Sequence, residues 1–296
     1  MFLLFRRPPP GSAIRISSSR DVSGPLLILA FLVYRVRYSV FVRGGTFAER
    51  FPWPFSHCIL TVSSLGKRRT DAMVTVIHRL NAKTLTVNEI YQSAQGESTW
   101  AGLPCVFVRL TFCDLRCTYC DTAYAFYKGT KIGLPEVVER VMAYECPLVE
   151  VTGGEPLLQK NVLPLMRELC DRGLTVLIET SGAHDISAID PRVHRIMDLK
   201  TPSSGECDRN RFENIQHLKQ QDEVKFVIGS REDYLWAKAQ IKKFNLAKGC
   251  GTILFSPVFG KIEPRDIVEW LLADKLPVRF QLQMHKFIWA PETKGV

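Results

Sequence analysis

The chain has 296 residues, of which 46% are apolar, 23% charged and 10% aromatic. This composition is typical of a globular protein with a hydrophobic core, and it excludes a disordered chain, a collagen-like chain and a coiled coil. Nine cysteines are too few for a disulfide scaffold, so any regular spacing among them points to metal or redox chemistry.

The net charge of +9 is concentrated at one end of the chain. Residues 1–72 contain eleven basic and three acidic residues, whereas residues 73–296 contain 28 basic and 27 acidic residues. A positive charge that is confined to one end does not indicate a nucleic-acid surface on the rest of the protein. We therefore expect no nucleic-acid partner.

The first 72 residues lack the periodicity of helices and strands. Their apolar run at residues 25–34 is about half the length of a membrane span, and no small-residue cleavage site follows it cleanly. We predict that residues 1–72 are an N-terminal extension that is disordered or lies outside the functional protein, and that residues 73–296 form the core domain. The alternative is a targeting or membrane-surface arm. The core domain would open at Met73, where residues 74–77 begin a regular alternation.

After residue 84, short apolar runs alternate with amphipathic helical patterns. Seven strands are predicted, at residues 106–110, 148–152, 175–179, 195–199, 223–228, 252–255 and 278–282. Helices are predicted at residues 134–144, 162–169, 211–219, 234–244 and 264–272. This alternation indicates parallel βαβ units and favours an incomplete TIM-like α/β barrel. A doubly wound sheet is the competitor, which is weakened because no Gly-x-Gly-x-x-Gly motif follows the first strand.

Unusual polar and cysteine-containing clusters follow the carboxyl ends of these strands. They lie at residues 113–122, 152–156, 179–182, 198–202, 256–258 and 283–286. The carboxyl ends of parallel barrel strands meet on one face, where such folds carry out chemistry. The sequence therefore predicts one site built from these six clusters.

Three cysteines within eight residues form a Cys-x3-Cys-x2-Cys motif at Cys113, Cys117 and Cys120. Closely spaced thiolates select zinc or an iron–sulfur cluster, but a structural zinc site needs four ligands. No histidine or fourth cysteine lies nearby, because Cys105 lies inside or at the border of the first predicted strand and Cys146 lies beyond a predicted helix. Three thiolates on a 4Fe–4S cluster leave one iron without a protein ligand, so that a small molecule can bind there.

Two motifs together resemble the radical SAM superfamily, whose members use S-adenosylmethionine (SAM). They are the cysteine triplet, with Tyr119 before its last cysteine, and the Thr-Gly-Gly-Glu-Pro segment at residues 152–156. The resemblance implies an incomplete (β/α) barrel of the radical SAM type, in which the three cysteines hold the cluster and its open iron chelates SAM. An external one-electron reductant would then drive cleavage of SAM to methionine and a 5′-deoxyadenosyl radical.

Further segments resemble the 7-carboxy-7-deazaguanine synthase family, so that the resemblance covers about residues 85–290. They lie at residues 87–98, 107–110, 120–122, 179–182, 198–202, 225–228 and 283–286. The resemblance implies a lyase that converts 6-carboxy-5,6,7,8-tetrahydropterin to 7-carboxy-7-deazaguanine with loss of ammonia, toward queuosine-type nucleosides. It also implies SAM, a 4Fe–4S cluster and Mg²⁺ as cofactors, and a homodimer.

The same resemblance assigns residues to each ligand, position by position. Substrate would contact Ala94, Gln95, Gly96, Arg109, Thr152 and Pro291, with Arg109 pairing with the substrate carboxylate. SAM would contact Gly154, Ser181, Asp198, Leu199, Lys200, Ser256, Pro257 and Val258. The metal ligands would be Cys113, Cys117 and Cys120 for the cluster and Thr122 for Mg²⁺.

Other interpretations of these residues remain open. Arg109 could form an ordinary salt bridge, Thr122 could cap a helix, and His285 is either a substrate contact or a structural residue at a strand end. The family usually has leucine at Ala94 and threonine at Met284, so the chain departs from its pattern at these two positions.

The cysteine motif also occurs in, or resembles that of, proteins with other functions. A radical SAM activase that installs a glycyl radical on a partner protein shares the cluster motif, but it has no need of Arg109 as a carboxylate clamp. An iron–sulfur electron carrier or a zinc module would need a fourth ligand. Because free thiols disfavour export, we expect the protein in the cytoplasm, with no membrane partner.

Overall fold

The computed structural model describes residues 83–296, and they form one open α/β sheet with helices. The predicted extension at residues 1–72 and the start of the core domain at Met73 lie outside the described residues. The strands are β1 (Thr84–Ala94), β2 (Pro104–Leu110), β3 (Thr130–Gly133), β4 (Leu148–Gly153), β5 (Thr175–Thr180), β6 (His194–Asp198), β7 (Glu223–Ile228), β8 (Thr252–Pro257) and β9 (Arg279–Phe280).

The six α-helices of the described residues lie between or after the strands along the chain. They are α1 (Leu134–Met142), α2 (Val162–Asp171), α3 (Arg231–Lys243), α4 (Leu246–Gly249), α5 (Pro264–Asp274) and α6 (His285–Ile288). Short 3₁₀ helices lie at Ala123–Phe126, Pro156–Leu158, Pro202–Ser204, Cys207–Arg209 and Phe212–His217. Among the described residues, no helix is long and apolar enough to cross a membrane.

The nine strands follow the spatial order β3-β1-β2-β4-β5-β6-β7-β8-β9. From β2 through β4 to β9 every neighbouring pair is parallel, whereas β1 is antiparallel to both β2 and β3. The sheet does not close, because β3 and β9 remain its two edges in the described part of the chain. The predicted incomplete barrel of seven parallel strands is therefore confirmed.

Strand alternation separates an apolar face from a polar one. In β4, Val149 and Val151 belong to the core that also contains the buried stripes of α1 and α2. Glu150 and Thr152 alternate with them, so their side chains point to the opposite face of the sheet. The helices thus cover one face, and the other face is left with polar side chains.

Three sequence-based expectations need correction. The strands β1 and β3 were not expected, because their half-polar sequences lack the continuous apolar character of buried parallel strands. The helix expected at residues 211–219 is a 3₁₀ helix at Phe212–His217, in which the Asn214 amide donates to the carbonyls of Gly182 and His184. The strand expected at residues 278–282 is reduced to β9.

Gly153, at the end of β4, has a backbone conformation that only glycine adopts easily. Its φ is +143°, and a Cβ atom there would overlap the backbone of Leu110 in the neighbouring strand β2. The next amide, that of Gly154, donates to the Leu110 carbonyl at 3.2 Å. The end of β4 therefore packs backbone against backbone on the end of β2.

We expect Gly153→Ala to lower the free energy of unfolding by about 3 kcal/mol, because the strained φ and the steric overlap add together. Gly173→Ala is the matched control, since Gly173 also has a positive φ (+84°) but has open space around a Cβ. The control should lose only about 1 kcal/mol. Urea unfolding followed by circular dichroism measures both. Equal losses in the two variants would contradict the close packing of β4 on β2.

Candidate active site

A cavity of about 730 Å³ lies on the polar face of the sheet, at the carboxyl ends of the parallel strands. The structure brings most of the predicted site residues to its wall. These are Ala94, Gln95, Gly96, Arg109, Cys113, Cys117, Cys120, Thr122, Thr152, Gly154, Ser181, Asp198, Lys200, Val258 and Pro291. The clusters that the sequence places after separate strands thus share one cavity.

Three predicted SAM contacts do not reach this wall. Leu199 is fully buried, and its amide donates to the Lys225 carbonyl at 2.9 Å. Ser256 is also buried, and its hydroxyl has no hydrogen-bond partner. Pro257 lines a neighbouring cavity of about 370 Å³.

The cysteine loop follows β2 and is held by its own backbone and by the segment after β6. The Arg116 guanidinium donates to the carbonyls of Cys113 and Leu115 at 2.8 and 2.7 Å. Thr118 donates its amide to the Ser204 carbonyl at 3.0 Å and its hydroxyl to the Ser203 carbonyl at 2.7 Å. The loop therefore has a defined shape without any disulfide.

The three thiols of this loop have the chemistry of metal ligands. All three are free, half-buried and on the cavity wall, and burial raises the pKa of each. Within residues 83–296, no three His, Cys, Asp or Glu side chains are gathered closely enough to hold a single metal ion. These residues fit an iron–sulfur cluster because they place three soft sulfur donors on one wall of a cavity that has room for a further ligand.

The Thr-Gly-Gly-Glu-Pro segment connects the cysteine loop to the end of β5. Its Glu155 amide donates to the Phe112 carbonyl at 2.7 Å, and the Glu155 side chain is fully buried. That carboxylate accepts from the Ser181 amide and hydroxyl at 2.7 and 2.6 Å and from the Thr180 hydroxyl at 2.9 Å. Glu155 therefore fixes Ser181 at the cavity wall.

Asp198 and Lys200 form a polar group beside the cysteines. The Lys200 ammonium lies 2.7 Å from one carboxylate oxygen of Asp198, whereas the other oxygen of Asp198 is buried without a partner. Burial opposes the charge of Lys200, but Asp198, Cys117 and Tyr119 outweigh it and raise its pKa. A buried acceptor without a donor is costly, so Asp198 fits a site whose ligand supplies one.

The floor of the cavity is made of charged side chains from the middle of strands and from a loop after β1. We call residues 95–103 the floor loop. Lys225, on β7, contacts Glu97 of the floor loop at 3.0 Å and also pairs with Glu179 of β5. Burial opposes the charges of Lys225 and Glu179, but their attraction outweighs it, raising the pKa of the lysine and lowering that of the glutamate.

Glu150 is a third carboxyl group on this floor. It is buried on β4 and accepts a hydrogen bond from the Gln95 amide. Burial and the neighbouring Glu179 raise the pKa of Glu150 well above its usual range. Its proton is therefore retained under conditions in which an exposed glutamate is ionised.

Arg109 projects from β2 into the cavity, opposite Thr152 in the sheet register. Its Nε lies 2.8 Å from a Glu89 oxygen, and its Nη2 donates to the Tyr91 hydroxyl at 2.7 Å. Burial opposes the charge, but Tyr91, Tyr124 and Glu89 outweigh it and raise the pKa of Arg109. The guanidinium is thus a cation held in place by β1, with its Nη1 free of side-chain partners among the described residues.

A segment near the C-terminus closes one side of the cavity. We call residues 283–286 the C-terminal strap. Lys286 lies 2.6 Å from Asp121, next to the last cysteine, and Met284 donates its amide to the Gly96 carbonyl at 2.9 Å. The Lys286 ammonium lowers the pKa of Asp121. The strap therefore connects the cysteine loop to the floor loop.

The structure shows the surroundings of Thr122 and His285, for which the sequence leaves two roles open. Thr122 occupies the position before the 3₁₀ helix Ala123–Phe126, but its hydroxyl donates to Asp121 at 2.9 Å and makes no capping bond. His285 lines the cavity and is so close to Gly96 that a Cβ on Gly96 would overlap its ring. Burial lowers the pKa of His285, which favours the neutral imidazole.

Sequence reasoning did not single out the charged floor. The residues that it missed there are Glu97, Glu150 and Lys225, whereas Glu179 begins the predicted cluster at residues 179–182. A signal for Glu150 and Lys225 was present, because each is a charged residue inside an otherwise apolar strand. A charge in a strand that is buried on both faces is costly unless it is paired, so it marks a polar interior.

Comparisons with known proteins address the identity of this site. The sequence model of the radical SAM superfamily matches residues 107–271. The 7-carboxy-7-deazaguanine synthase of Chlorobaculum tepidum is 49% identical over 215 residues, which are 72% of this chain and 97% of that protein. The protein of the same name from Koribacter versatilis is 44% identical over 226 residues, covering 72% and 100% of the two chains.

A solved structure shares the fold. The crystal structure of QueE from Escherichia coli matches with a TM-score of 0.59, covering 68% of this chain and 95% of that chain at 22% identity. The superfamily model covers more than half of this chain, and the two synthases are matched over nearly their whole length. Both findings indicate the same family. The chain belongs to the radical SAM superfamily and, within it, to the 7-carboxy-7-deazaguanine synthase family.

Proposed function

We propose that this protein converts 6-carboxy-5,6,7,8-tetrahydropterin to 7-carboxy-7-deazaguanine with loss of ammonia, a step toward queuosine-type nucleosides. The observation that carries the proposal is that the cysteine triplet and a buried, charged floor share one cavity of about 730 Å³. A cavity of this size accommodates a nucleoside-sized cofactor together with a bicyclic heterocycle. The names of the relatives support the same reaction.

The 4Fe–4S cluster and SAM supply radical chemistry, and the chain's residues hold them. Cys113, Cys117 and Cys120 provide the thiolates of the cluster. The small Gly154 lets its backbone approach the methionine part of SAM, and a Cβ there would overlap the Phe112 carbonyl. Ser181, held by Glu155, and the unpaired oxygen of Asp198 offer hydrogen-bonding groups to the rest of SAM.

Other residues of the same wall bind and orient the pterin. Arg109 presents its Nη1 to the substrate carboxylate, with which it forms a charge-assisted hydrogen bond. The backbone at Ala94 and Gly96 and the hydroxyl of Thr152 face the heterocycle edge, and Pro291 lies at the cavity rim. Thr122 contributes a hydroxyl to Mg²⁺, which is otherwise held by substrate and water.

We also propose a homodimer, an external one-electron reductant and a cytoplasmic location, where thiols stay reduced. The eight cysteines in the described part of the chain are all free. A glycyl-radical activase is not favoured, because the matched relatives bear the name of the synthase and Arg109 is built into the cavity wall.

We expect Cys117→Ala to lose the cluster and with it the cleavage of SAM, because two remaining thiolates no longer hold a cubane. The measurements are iron content, visible absorption and formation of 5′-deoxyadenosine after anaerobic reconstitution. Cys170→Ala is the matched control, since Cys170 is a half-buried thiol on α2 outside the cavity wall. A Cys117→Ala protein that binds a full complement of iron would contradict the ligand assignment.

We expect Arg109→Ala to raise KM for the pterin about 100-fold, because the variant loses one charge-assisted hydrogen bond to the substrate carboxylate. SAM cleavage without substrate should be unchanged. Glu89→Gln is the control, because it removes the partner on the far side of the guanidinium and leaves the Arg109 charge in place. Steady-state kinetics with the pterin, alongside 5′-deoxyadenosine release without it, separates the two activities. Normal pterin kinetics in Arg109→Ala would show that the carboxylate binds elsewhere.

We expect Thr122→Val to raise the Mg²⁺ concentration for half-maximal turnover about tenfold, because the variant lacks one neutral oxygen ligand but keeps the shape of the side chain. Thr118→Val is the control in the same loop, since its hydroxyl donates to the Ser203 carbonyl and faces no proposed metal. Turnover is titrated with Mg²⁺ at saturating pterin. If both variants show the wild-type Mg²⁺ response, Thr122 is not a ligand.

A further inference from the structure

The carboxyl group of Glu150 is an unusual feature of the cavity floor. Its residue is only 2% exposed, and it lies on β4, where Val149 and Val151 are fully buried on the other face. Within the sheet it is paired with Phe107 of β2 and Leu177 of β5, which offer it no polar side chain. A carboxyl group is retained in such a place only when it has a specific partner.

That partner is the side-chain amide of Gln95, the first residue of the floor loop. The Gln95 nitrogen donates to a Glu150 oxygen, and the Gln95 oxygen accepts from the Glu97 amide at 2.7 Å. This second bond fixes which end of the amide faces Glu150. The Gln95 backbone is held as well, because its amide donates to the Leu103 carbonyl and its carbonyl accepts from the Gly102 amide, both at 2.8 Å.

The charges around Glu150 determine its state. Lys225 of β7 is already shared by Glu97 of the floor loop and Glu179 of β5, and Arg109 of β2 pairs with Glu89 of β1. Among residues 83–296, no lysine or arginine forms an ion pair with Glu150. The other titratable groups that face it are the Cys105 thiol of β2 and the Tyr91 hydroxyl of β1, both of which are uncharged.

Lys225 already pairs with Glu97 and Glu179, so an ionised Glu150 would add a third negative charge to the floor without a cation of its own. Burial and the charge of Glu179 accordingly raise the pKa of Glu150 well above its usual range. An uncharged acid accepts from Gln95 without disturbing the Lys225 pairs.

We propose that Glu150 is a positioning residue for the pterin, whose uncharged carboxyl group holds the Gln95 amide and thereby fixes the backbone of Ala94–Gly96 at the heterocycle edge. The inference rests on the proposed function, because it concerns the part of the cavity that we assign to the substrate. Glu150 acts through Gln95, and it has no role in holding the cluster or SAM.

The test compares Glu150→Met, Glu150→Gln and wild type as reconstituted holoenzymes. Methionine keeps the length of the side chain but makes no hydrogen bond to Gln95, whereas glutamine keeps both the shape and the acceptor. We expect Glu150→Met to raise KM for the pterin about tenfold, with kcat and substrate-free SAM cleavage unchanged. Glu150→Gln should remain within about threefold of wild type. Should Glu150→Met fail to fold, Glu150→Leu takes its place.

Glu223→Met is the matched control for a general loosening of the floor loop. Glu223 is another buried glutamate that binds this loop, through the amide and hydroxyl of Thr99, but it is outside the cavity wall. A double variant with Gln95→Leu completes the design. If Glu150 acts through Gln95, Glu150→Met has no further effect on KM when Gln95 is already replaced.

A second readout tests the uncharged state of the acid. The folded chain keeps a proton on Glu150 that the unfolded chain loses above its ordinary pKa, so this group lowers the stability of the wild type as pH rises. Glu150→Gln lacks the effect. We therefore expect its melting temperature to exceed that of the wild type by an amount that grows from pH 6 to pH 8.5.

The outcomes separate this inference from the proposed function. Wild-type enzyme that cleaves SAM but does not consume the pterin would overturn both. Given normal wild-type turnover, the inference alone is overturned by any of three results. These are an unchanged KM in Glu150→Met, an equal rise in Glu223→Met, and a loss of turnover in Glu150→Gln as large as in Glu150→Met. A melting-temperature difference between Glu150→Gln and wild type that is independent of pH would refute the uncharged acid.

Discussion

A single buried ammonium group, that of Lys225, organises the interior of the sheet. It joins β7 to Glu179 of β5 and to Glu97 of the floor loop. A buried cation without partners is strongly unfavourable, so the pair with Glu97 favours the position of the floor loop across the sheet. The same pairing leaves Glu150 without an ion pair among the described residues, and burial and Glu179 raise its pKa. The charge pattern of the floor therefore follows from one lysine in one strand.

The rim of the cavity depends on a different kind of contact, between backbones. The absence of side chains at Gly153 and Gly154 lets the end of β4 pack on Leu110 and Phe112, which lead into the cysteine loop. Glu155 continues the connection to Ser181 at the end of β5. These bonds fix the point at which the cysteine loop leaves β2, whereas the shape of the loop itself depends on its own backbone and on Ser203 and Ser204.

The sequence predicts the parallel part of the fold well, since largely apolar runs such as those of β2 and β8 are typical of buried parallel strands. It fails at β1, whose burial alternates and then becomes intermediate along its length. Only residues 84–87 of this strand pair with β3, and the rest pairs on one side alone, with β2, so its half-polar sequence resembles a loop. The 3₁₀ helix Phe212–His217 also differs from expectation. There the Asn214 side chain binds distant backbone carbonyls, a tertiary contact that no local periodicity reveals.

The same division applies to the site. Cysteine spacing and the Gly-Gly-Glu-Pro segment are local signals, and the residues they indicate line the cavity. The floor is non-local, because Glu97 and Lys225 are far apart in the chain and meet only when the floor loop crosses the sheet. A charge within an apolar strand shows that a polar interior exists, but it does not identify the partner. Leu199, Ser256 and Pro257 show the opposite error, in which the sequence predicts too many contacts. They lie next to cavity residues in the chain, but they do not line that cavity themselves.

The cavity thus has two parts with different construction. Loops after the strands hold the cysteines and Ser181 at the rim, together with Asp198 at the end of β6, whereas strands hold Glu150, Glu179 and Lys225 at the floor. Groups on strands are positioned more rigidly than groups on loops, which suits a floor that must present a fixed hydrogen-bonding edge to a heterocycle. The C-terminal strap joins the two parts, because Lys286 contacts Asp121 beside the cysteines and Met284 donates to the Gly96 carbonyl of the floor loop. The strap is therefore the place where a change at the rim can reach the floor loop.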